Sequence, residues 1–318
     1  MSRDLRGLWL GGTLGLTVGA FALAMALAPD AGQAPGPALR WLIFIGSSTH
    51  VGATAWFYTD REVRGHMSTR PGRYFIAPVA LVLGTALVVS VLPLERLTVP
   101  LMLFFAWQFF HFQKQNLGMA ALAASAHGAG PLRQVERAAI TAAGVAGIVG
   151  ILAHPALLAL PEVIDLRVLF PVAGAAFVGA AVIGLVAVAR RESRPWQFLA
   201  VYAAAVLFFL PVFVFSSPFL ALTGLILAHG YQYLVIVALV ARARLVSLAM
   251  LLNVALLVGV LLHIAASYRG ATFPGSLIFG AYLGLTMAHF VIDAGLWRLR
   301  DEFPRAFLGE RLPFLLRR

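Results

Sequence analysis

Residues 275–297 read GSLIFGAYLGLTMAHFVIDAGLW, a stretch in which His289 and Asp293 are the only basic or acidic residues. A run of about 20 mostly apolar residues is long enough to cross the hydrocarbon core of a bilayer as a helix. The whole 318-residue chain is 61% hydrophobic and 12% charged, which excludes a soluble domain of ordinary composition. Gaps between its apolar runs are too short for a second folded domain. The sequence therefore predicts a single transmembrane domain over residues 1–318.

Apolar runs of this kind recur about ten times along the chain. They lie at roughly 8–28, 40–60, 74–94, 98–119, 138–158, 168–189, 197–215, 217–240, 245–267 and 275–297. The predicted fold class is all-α, a polytopic transmembrane helical bundle of about ten spans. The first span has a second interpretation, a signal peptide cleaved between about Ala26 and Ala34, because Arg3 and Arg6 precede its apolar run.

The basic residues predict the orientation of the spans. Of the 24 Lys and Arg residues, only Arg40, Arg96, Arg167 and Arg269 fall in the outer segments if the N-terminus is cytoplasmic. Such a bias follows the positive-inside rule and places both termini in the cytoplasm, in an inner (plasma) membrane of bacterial type. The net charge of +11 is explained by this topology and by contact with anionic membrane lipids, so no nucleic-acid partner is expected. The absence of cysteine excludes disulfides and thiolate metal sites.

Four histidines lie at one depth in four spans that run in the same direction. His50, His111, His229 and His289 are each about 10–14 residues into their spans, so their depths differ by only about 6 Å at 1.5 Å per residue. An ionisable residue inside a membrane is costly and usually functional. The alternative is four neutral histidines that hydrogen-bond between helices. Because neutral imidazole is the commonest metal ligand, the pattern predicts that these four side chains bind a metal.

Each of these histidines has a polar neighbour on the same helix face. Residues three or four apart share a face, and the neighbours at that spacing are Thr54, Gln115, Gln232 and Asp293. A metal-bound histidine usually has its second ring nitrogen held by a carboxylate, carbonyl or amide. We therefore predict Asp293 as the partner of a metal-bound histidine, and we predict Asp293, Tyr233 and Gln232 as catalytic residues.

The residue types around the histidines limit the chemistry. Few carboxylates lie inside the spans, which disfavours a carboxylate-bridged di-iron centre. A mononuclear non-haem iron with open positions for dioxygen fits the histidines, and so does haem held by two histidines on facing helices. Aromatic residues flank the histidines, including Trp107, Phe112, Tyr231 and Phe290. Either lipid packing or a substrate dissolved in the membrane, such as an isoprenoid, quinone or lipid, accounts for them.

The layout and its short motifs resemble the Brp/Blh-type bacterial β-carotene 15,15′-dioxygenases. The matching segments are Thr49-His50-Val51-Gly52, His111-Phe112, His229 and His289-Phe290-Val291-Ile292-Asp293. Tyr233 stands where that family has the second histidine of a pair four residues apart. The resemblance implies a multi-span membrane enzyme with histidine-bound non-haem iron that uses dioxygen to cleave a carotenoid. The Tyr233 departure leaves another isoprenoid or lipid substrate equally open.

Two other classes of protein remain as alternatives. Histidines on alternate spans are also typical of haem-binding membrane proteins of the haem A synthase type. A non-enzymatic transporter or proton-relay protein would line a polar path with histidines and Asp293. The main prediction is a membrane metal-dependent oxygenase that binds iron, dioxygen and a hydrophobic small molecule.

Overall fold

The computed structural model describes residues 2–27, 36–154, 166–215 and 218–316, and every regular element within these ranges is helical. This confirms the all-α prediction. The α-helices are α1 (Ser2–Ala26), α2 (Pro37–Ile43), α3 (His50–Ala53), α4 (Arg61–Ser68), α5 (Ala77–Val91), α6 (Leu94–Ala126), α7 (Gln134–Leu152), α8 (Leu169–Ala189), α9 (Trp196–Val206), α10 (Pro211–Val214), α11 (Pro218–Ala241), α12 (Leu245–Ala266), α13 (Gly275–Leu296), α14 (Glu302–Arg311) and α15 (Pro313–Leu316). Phe44–Thr49 and Gly72–Ile76 are π-helical, and Thr54–Tyr58 is a 3₁₀ helix.

Seven helices in the described ranges are long and apolar enough to cross a membrane. They are Asp4–Ala26, Gly72–Val91, Gln134–Leu152, Leu169–Ala189, Phe219–Ala241, Leu245–Ala266 and Gly275–Leu296. These helices confirm the membrane-like character of the chain. The count of ten spans and the cytoplasmic placement of both termini stay predictions, and residues 28–34 of the suggested cleavage region lie outside the described residues.

The three other predicted spans, at about 40–60, 98–119 and 197–215, form helices that are interrupted or partly polar. The span at about 40–60 is a run of short α, π and 3₁₀ segments from Pro37 to Tyr58. The span at about 98–119 lies within α6, whose 33 residues include a polar stretch, Gln113-Lys114-Gln115-Asn116. The span at about 197–215 is divided between α9, which has 11 residues, and α10, which has four. Interrupted helices and internal polar residues lower the hydropathy or the length of these segments, so composition alone does not identify them as spans.

The chain divides into two compact units, which we call unit 1 (residues 1–39, 101–232 and 313–318) and unit 2 (residues 40–100 and 233–312). In unit 1 a buried ion pair ties the loop after α6 to the end of α8. The Arg191 guanidinium donates to both carboxylate oxygens of Glu136, at 2.7 and 2.6 Å, and to the carbonyl oxygens of Ala129 and Pro131. A bidentate pair with further carbonyl acceptors satisfies both charges away from water.

In unit 2, glycines bring α5 close to α13 and bring the Phe44–Ala53 segment close to α12. A Cβ added at Gly280 would lie 2.5 Å from the carbonyl oxygen of Thr85, and one added at Gly52 would lie 2.7 Å from that of Ala255. Small residues of this kind let helices in a membrane approach closely. The contacts fix the helices that carry His50 and His289. The prediction of a single transmembrane domain stays a prediction.

Candidate functional site

Unit 2 brings together His50, at the start of α3, and His289 in α13. Both side chains are buried, and their ring centres lie 5.1 Å apart with the rings at 78° to each other. Each offers a ring nitrogen that lies within 4.8 Å of one on the other. The two histidines are 239 residues apart in sequence, so only the packing of their helices makes them neighbours.

The hydrogen bond of His50 fixes which of its ring nitrogens carries the proton. Nδ1 of His50 lies 2.7 Å from the carbonyl oxygen of Gly46. A carbonyl oxygen only accepts, so Nδ1 is the donor, and Nε2 of the neutral imidazole keeps its lone pair. Gly46 belongs to the π-helical segment just before His50, a rare conformation that is often found at functional sites.

His289 is held through a chain of side-chain hydrogen bonds that ends at a carboxylate. Its Nδ1 lies 2.6 Å from the Thr54 hydroxyl, which lies 2.9 Å from the Tyr233 hydroxyl. Tyr233 in turn donates to Oδ1 of Asp293 at 2.9 Å. All four side chains are buried. Where Asp293 is ionised, it accepts from Tyr233 and, at 3.5 Å, from Thr54. The single hydroxyl proton of Thr54 is then directed to Tyr233 or to Asp293, so His289 donates to Thr54 through Nδ1. The lone pair of His289 is then on Nε2, as in His50.

Asp293 was predicted as a partner of a metal-bound histidine, and Tyr233 as a catalytic residue. The structure connects both to His289 through Thr54, and Oδ2 of Asp293 also lies 3.8 Å from Nδ1 of His289. Tyr233 further packs edge-on against His289, with ring centres 5.4 Å apart. Sequence spacing placed Asp293 and His289 on one helix face. The link through Thr54 and Tyr233 joins different parts of the chain, so spacing along one helix did not reveal it.

Unit 1 brings together His111 of α6 and His229 of α11. Their ring centres also lie 5.1 Å apart, with the rings at 77°. The ring of Phe112 stacks on the buried His229 imidazole, with centres 3.9 Å apart. A stacked aromatic ring limits the rotation of the imidazole, so packing against Phe112 contributes to the orientation of this histidine.

A network of amide hydrogen bonds lies beside this second pair. Gln115 donates through Nε2 to the backbone carbonyl of His229 and to Oε1 of Gln232, at 3.0 and 3.1 Å. Gln232 donates to the Thr17 hydroxyl at 2.6 Å, and Thr17 donates to the carbonyl of Thr13. Both amide atoms of Gln232 therefore bond within unit 1, and its catalytic role stays a prediction. The sequence analysis did not single out Thr13 or Thr17. Their spacing of four residues in an apolar helix is the signal that could have revealed this network.

Three of the other histidines have aromatic neighbours instead. His66 stacks on Phe303, His154 packs against Phe170, and His263 packs against Phe44. Burial lowers the pKa of His66, which lies in the short helix α4 outside the candidate spans. These contacts are ordinary packing of imidazole rings against aromatic side chains.

His289 also forms part of the wall of a cavity of about 340 Å³ in unit 2. The other lining residues come from the 51–58 segment, α5, α12 and α13, and nearly all of them are apolar. Sequence reasoning did not find this cavity, because it depends on how the four segments pack. No protein-family model, curated protein or solved structure matches the chain.

Proposed function

We propose that the chain is an integral membrane, metal-dependent oxygenase that acts on a hydrophobic isoprenoid or lipid, with carotenoid cleavage as one member of that reaction class. His50, His111, His229 and His289 are the proposed ligands of non-haem iron. One observation carries the proposal: the His289 imidazole is held through Nδ1 by a buried hydrogen-bond chain and also lines an apolar cavity. His289 thereby combines a ring nitrogen that carries a lone pair with space for an apolar molecule.

The ring spacing in each pair supports the proposal that both histidines of a pair bind the same metal ion. Two imidazoles that bound one ion through metal–nitrogen bonds of about 2.0–2.1 Å would have ring centres about 5 Å apart. Both pairs have ring centres 5.1 Å apart. Two histidines on opposite faces of a haem would have ring centres about 6 Å apart. The spacing therefore favours a non-haem ion over the haem alternative for either pair.

The hydrogen bonds behind the rings support the same assignment. A metal-bound histidine is oriented and made more basic when its second nitrogen donates to a carbonyl or carboxylate. Gly46 serves His50 in this way, and the Thr54, Tyr233 and Asp293 chain serves His289. We propose Asp293 and Tyr233 as positioning residues that act through Thr54.

When bound, iron supplies the activation of dioxygen. In a dioxygenase cleavage, one carbon–carbon double bond breaks and each carbon receives one atom of dioxygen as a carbonyl, so no further reductant is needed. Gly46 and the hydrogen-bond chain of Thr54, Tyr233 and Asp293 orient the histidines that would bind iron. The cavity holds the hydrocarbon and excludes water. The low dielectric around these buried residues also strengthens the hydrogen bonds between them.

A proton-relay protein is the second candidate, because the four-membered chain from His289 to Asp293 also suits proton transfer. The two candidates differ in whether oxygen reacts. We place either one in a plasma membrane of bacterial type, with both termini cytoplasmic.

The test uses the purified full chain in lipid nanodiscs, loaded with Fe(II) and supplied with ¹⁸O₂ and a panel of neutral polyenes that includes β-carotene. We expect two carbonyl products, each with one ¹⁸O atom. His289→Asn should abolish the products, whereas His263→Asn, which removes an exposed histidine from α12, should retain them. Failure of every member of the panel to cause oxygen uptake by the iron-loaded protein would contradict the oxygenase.

A further inference from the structure

The cavity beside His289 has a chemical character that restricts what can enter it. Its walls are single faces of helical segments, with lining residues three and four apart on each. Among the residues that line it, only Thr54, Tyr58 and His289 have polar side chains. Tyr58 donates to the carbonyl oxygen of Tyr74, and Thr54 bonds to His289 and Tyr233. These polar groups already have partners within the protein.

No charged side chain lines this cavity in the described part of unit 2. In the metal-free chain, a carboxylate or phosphate that entered it would lose its hydration without gaining an opposite charge. Such a transfer is strongly unfavourable. The cavity therefore selects for an uncharged group and against the headgroup of a fatty acid or phospholipid.

The mouth of the cavity lies on a surface that would face lipid. Val79 and Leu83 of α5 border it and are 57% and 65% exposed, and Leu285 of α13 is 43% exposed. α5 belongs to a candidate membrane span, so these exposed apolar side chains contact acyl chains in a bilayer. A molecule dissolved in the membrane can reach the cavity without passing through water.

The size of the cavity sets the length of chain that fits. A volume of about 340 Å³ is roughly twice that of an apolar cavity that holds one benzene molecule, so it takes about a dozen carbon atoms. The lining residues of α13 run from Leu285 to Ile292, a distance of about 10 Å along the helix. A long isoprenoid would place one segment in the cavity and leave the rest in the bilayer.

We propose that this cavity binds about a dozen carbons of an uncharged hydrocarbon chain from a membrane-dissolved molecule. The charged or polar end of that molecule, where there is one, stays outside. This inference rests on the proposed function and names the part of the substrate that meets His289. The reacting carbon lies within the chain, and the headgroup is remote from it.

The probe is an uncharged alkyl diazirine of about twelve carbons, added to the metal-free full chain in nanodiscs and activated by light. Mass spectrometry then locates the labelled residues. We expect labelling to concentrate on cavity residues of α5 and α13. Excess 1-dodecene should reduce this labelling about fivefold or more, and laurate of the same length, at equal membrane concentration, less than about twofold. Equal competition by laurate would overturn the selection against charge.

Val79→Trp places a large side chain at the mouth and should reduce cavity labelling about fivefold or more. The matched control is Leu87→Trp on the same helix, at a position that is 61% exposed and does not line the cavity. Because both positions are exposed, neither change disturbs helix packing, and Leu285→Trp provides a second mouth variant. Equal labelling in the mouth variants and the control would overturn the proposed binding site.

His289→Asn separates this inference from the proposed function. A variant that loses iron but keeps cavity labelling shows that the cavity binds hydrocarbon independently of the metal. If the oxygenase fails while labelling remains selective, only the proposed function fails. Uniform labelling of all lipid-exposed helix faces, in a chain that still binds iron, would overturn the inference alone.

Discussion

Units 1 and 2 each hold one pair of histidines with nearly the same ring geometry, but the surroundings of the two pairs differ. In unit 2 the pair is held by a hydrogen-bond chain that ends at Asp293, and it lies beside an apolar cavity. In unit 1 the pair is held by the Phe112 ring and by an amide network. The comparison shows that the same spacing of two imidazole rings occurs with different supporting groups in the two units. We propose that both pairs bind metal and that the pair in unit 2 also contacts the substrate.

The largest expected effect concerns the stability of unit 1. Glu136→Gln leaves Arg191 buried without its opposite charge and should cost about 3–5 kcal/mol in the free energy of unfolding. Asp301→Asn is the control in unit 2, because its partner Arg70 is about half exposed, and it should cost about 0–1 kcal/mol. Unfolding of both variants in detergent micelles checks this. Equal losses would contradict a stabilising role specific to the buried pair.

Asp293→Asn tests the polar support of the pair in unit 2. It replaces the carboxyl group that accepts from Tyr233 and lies beside His289 with an amide, and metal affinity should fall about 10- to 100-fold. Its counterpart in unit 1 is Gln232→Met, which removes hydrogen bonds worth about 1 kcal/mol each but no charge. Chelator competition for Fe(II) measures both. A larger loss of affinity in Gln232→Met would show that the polar support of the unit 2 pair is not the more important one for metal binding.

Thr54→Val tests the hydrogen-bond chain of unit 2 at its link to His289, because it removes the hydroxyl that contacts Nδ1. The change keeps nearly the same volume, and metal affinity should fall about tenfold because Nδ1 loses its partner. Tyr233→Phe keeps the bond between Thr54 and His289 and should have the smaller effect. Binding titrations with Co(II), whose absorption reports ligand geometry, distinguish the two. A greater effect of Tyr233→Phe would show that Thr54 is not the essential link.

Phe112→Leu is expected to have the smallest effect. It removes the ring stacked on His229 and should cost about 1 kcal/mol of stability. Metal affinity should change less than in Thr54→Val, because no hydrogen bond to a ring nitrogen is lost. Thermal unfolding and the same Co(II) titration check both statements. An affinity loss larger than that of Thr54→Val would mean that stacking controls the metal site.

Much of the helical character followed from composition and apolar run length, since both are local properties. The count of ten spans stays a prediction. Pro37–Tyr58 is interrupted by π and 3₁₀ segments and α6 carries polar residues, so apolar run length alone does not define these spans. Depth along a span indicated that His50, His111, His229 and His289 belong to one layer. The structure brings them together as two pairs within units 1 and 2, and the prediction that all four bind one iron stays a prediction.

The partners of the histidines depended on packing that sequence spacing does not report. Spacing placed Thr54 and Asp293 on the faces of His50 and His289, respectively. It did not show that Thr54 bonds to His289, or that Tyr233 joins Thr54 to Asp293. The cavity likewise depends on how α5, α12, α13 and the 51–58 segment pack together. Such contacts between distant parts of a chain become visible only in three dimensions.

The most direct test of the account is metal analysis of the purified full chain together with its optical spectrum. We expect bound iron without a Soret band, retained in His263→Asn and lost in both His289→Asn and His229→Asn. A Soret band would contradict the non-haem site. A chain that binds no metal after loading with Fe(II) would contradict the oxygenase altogether.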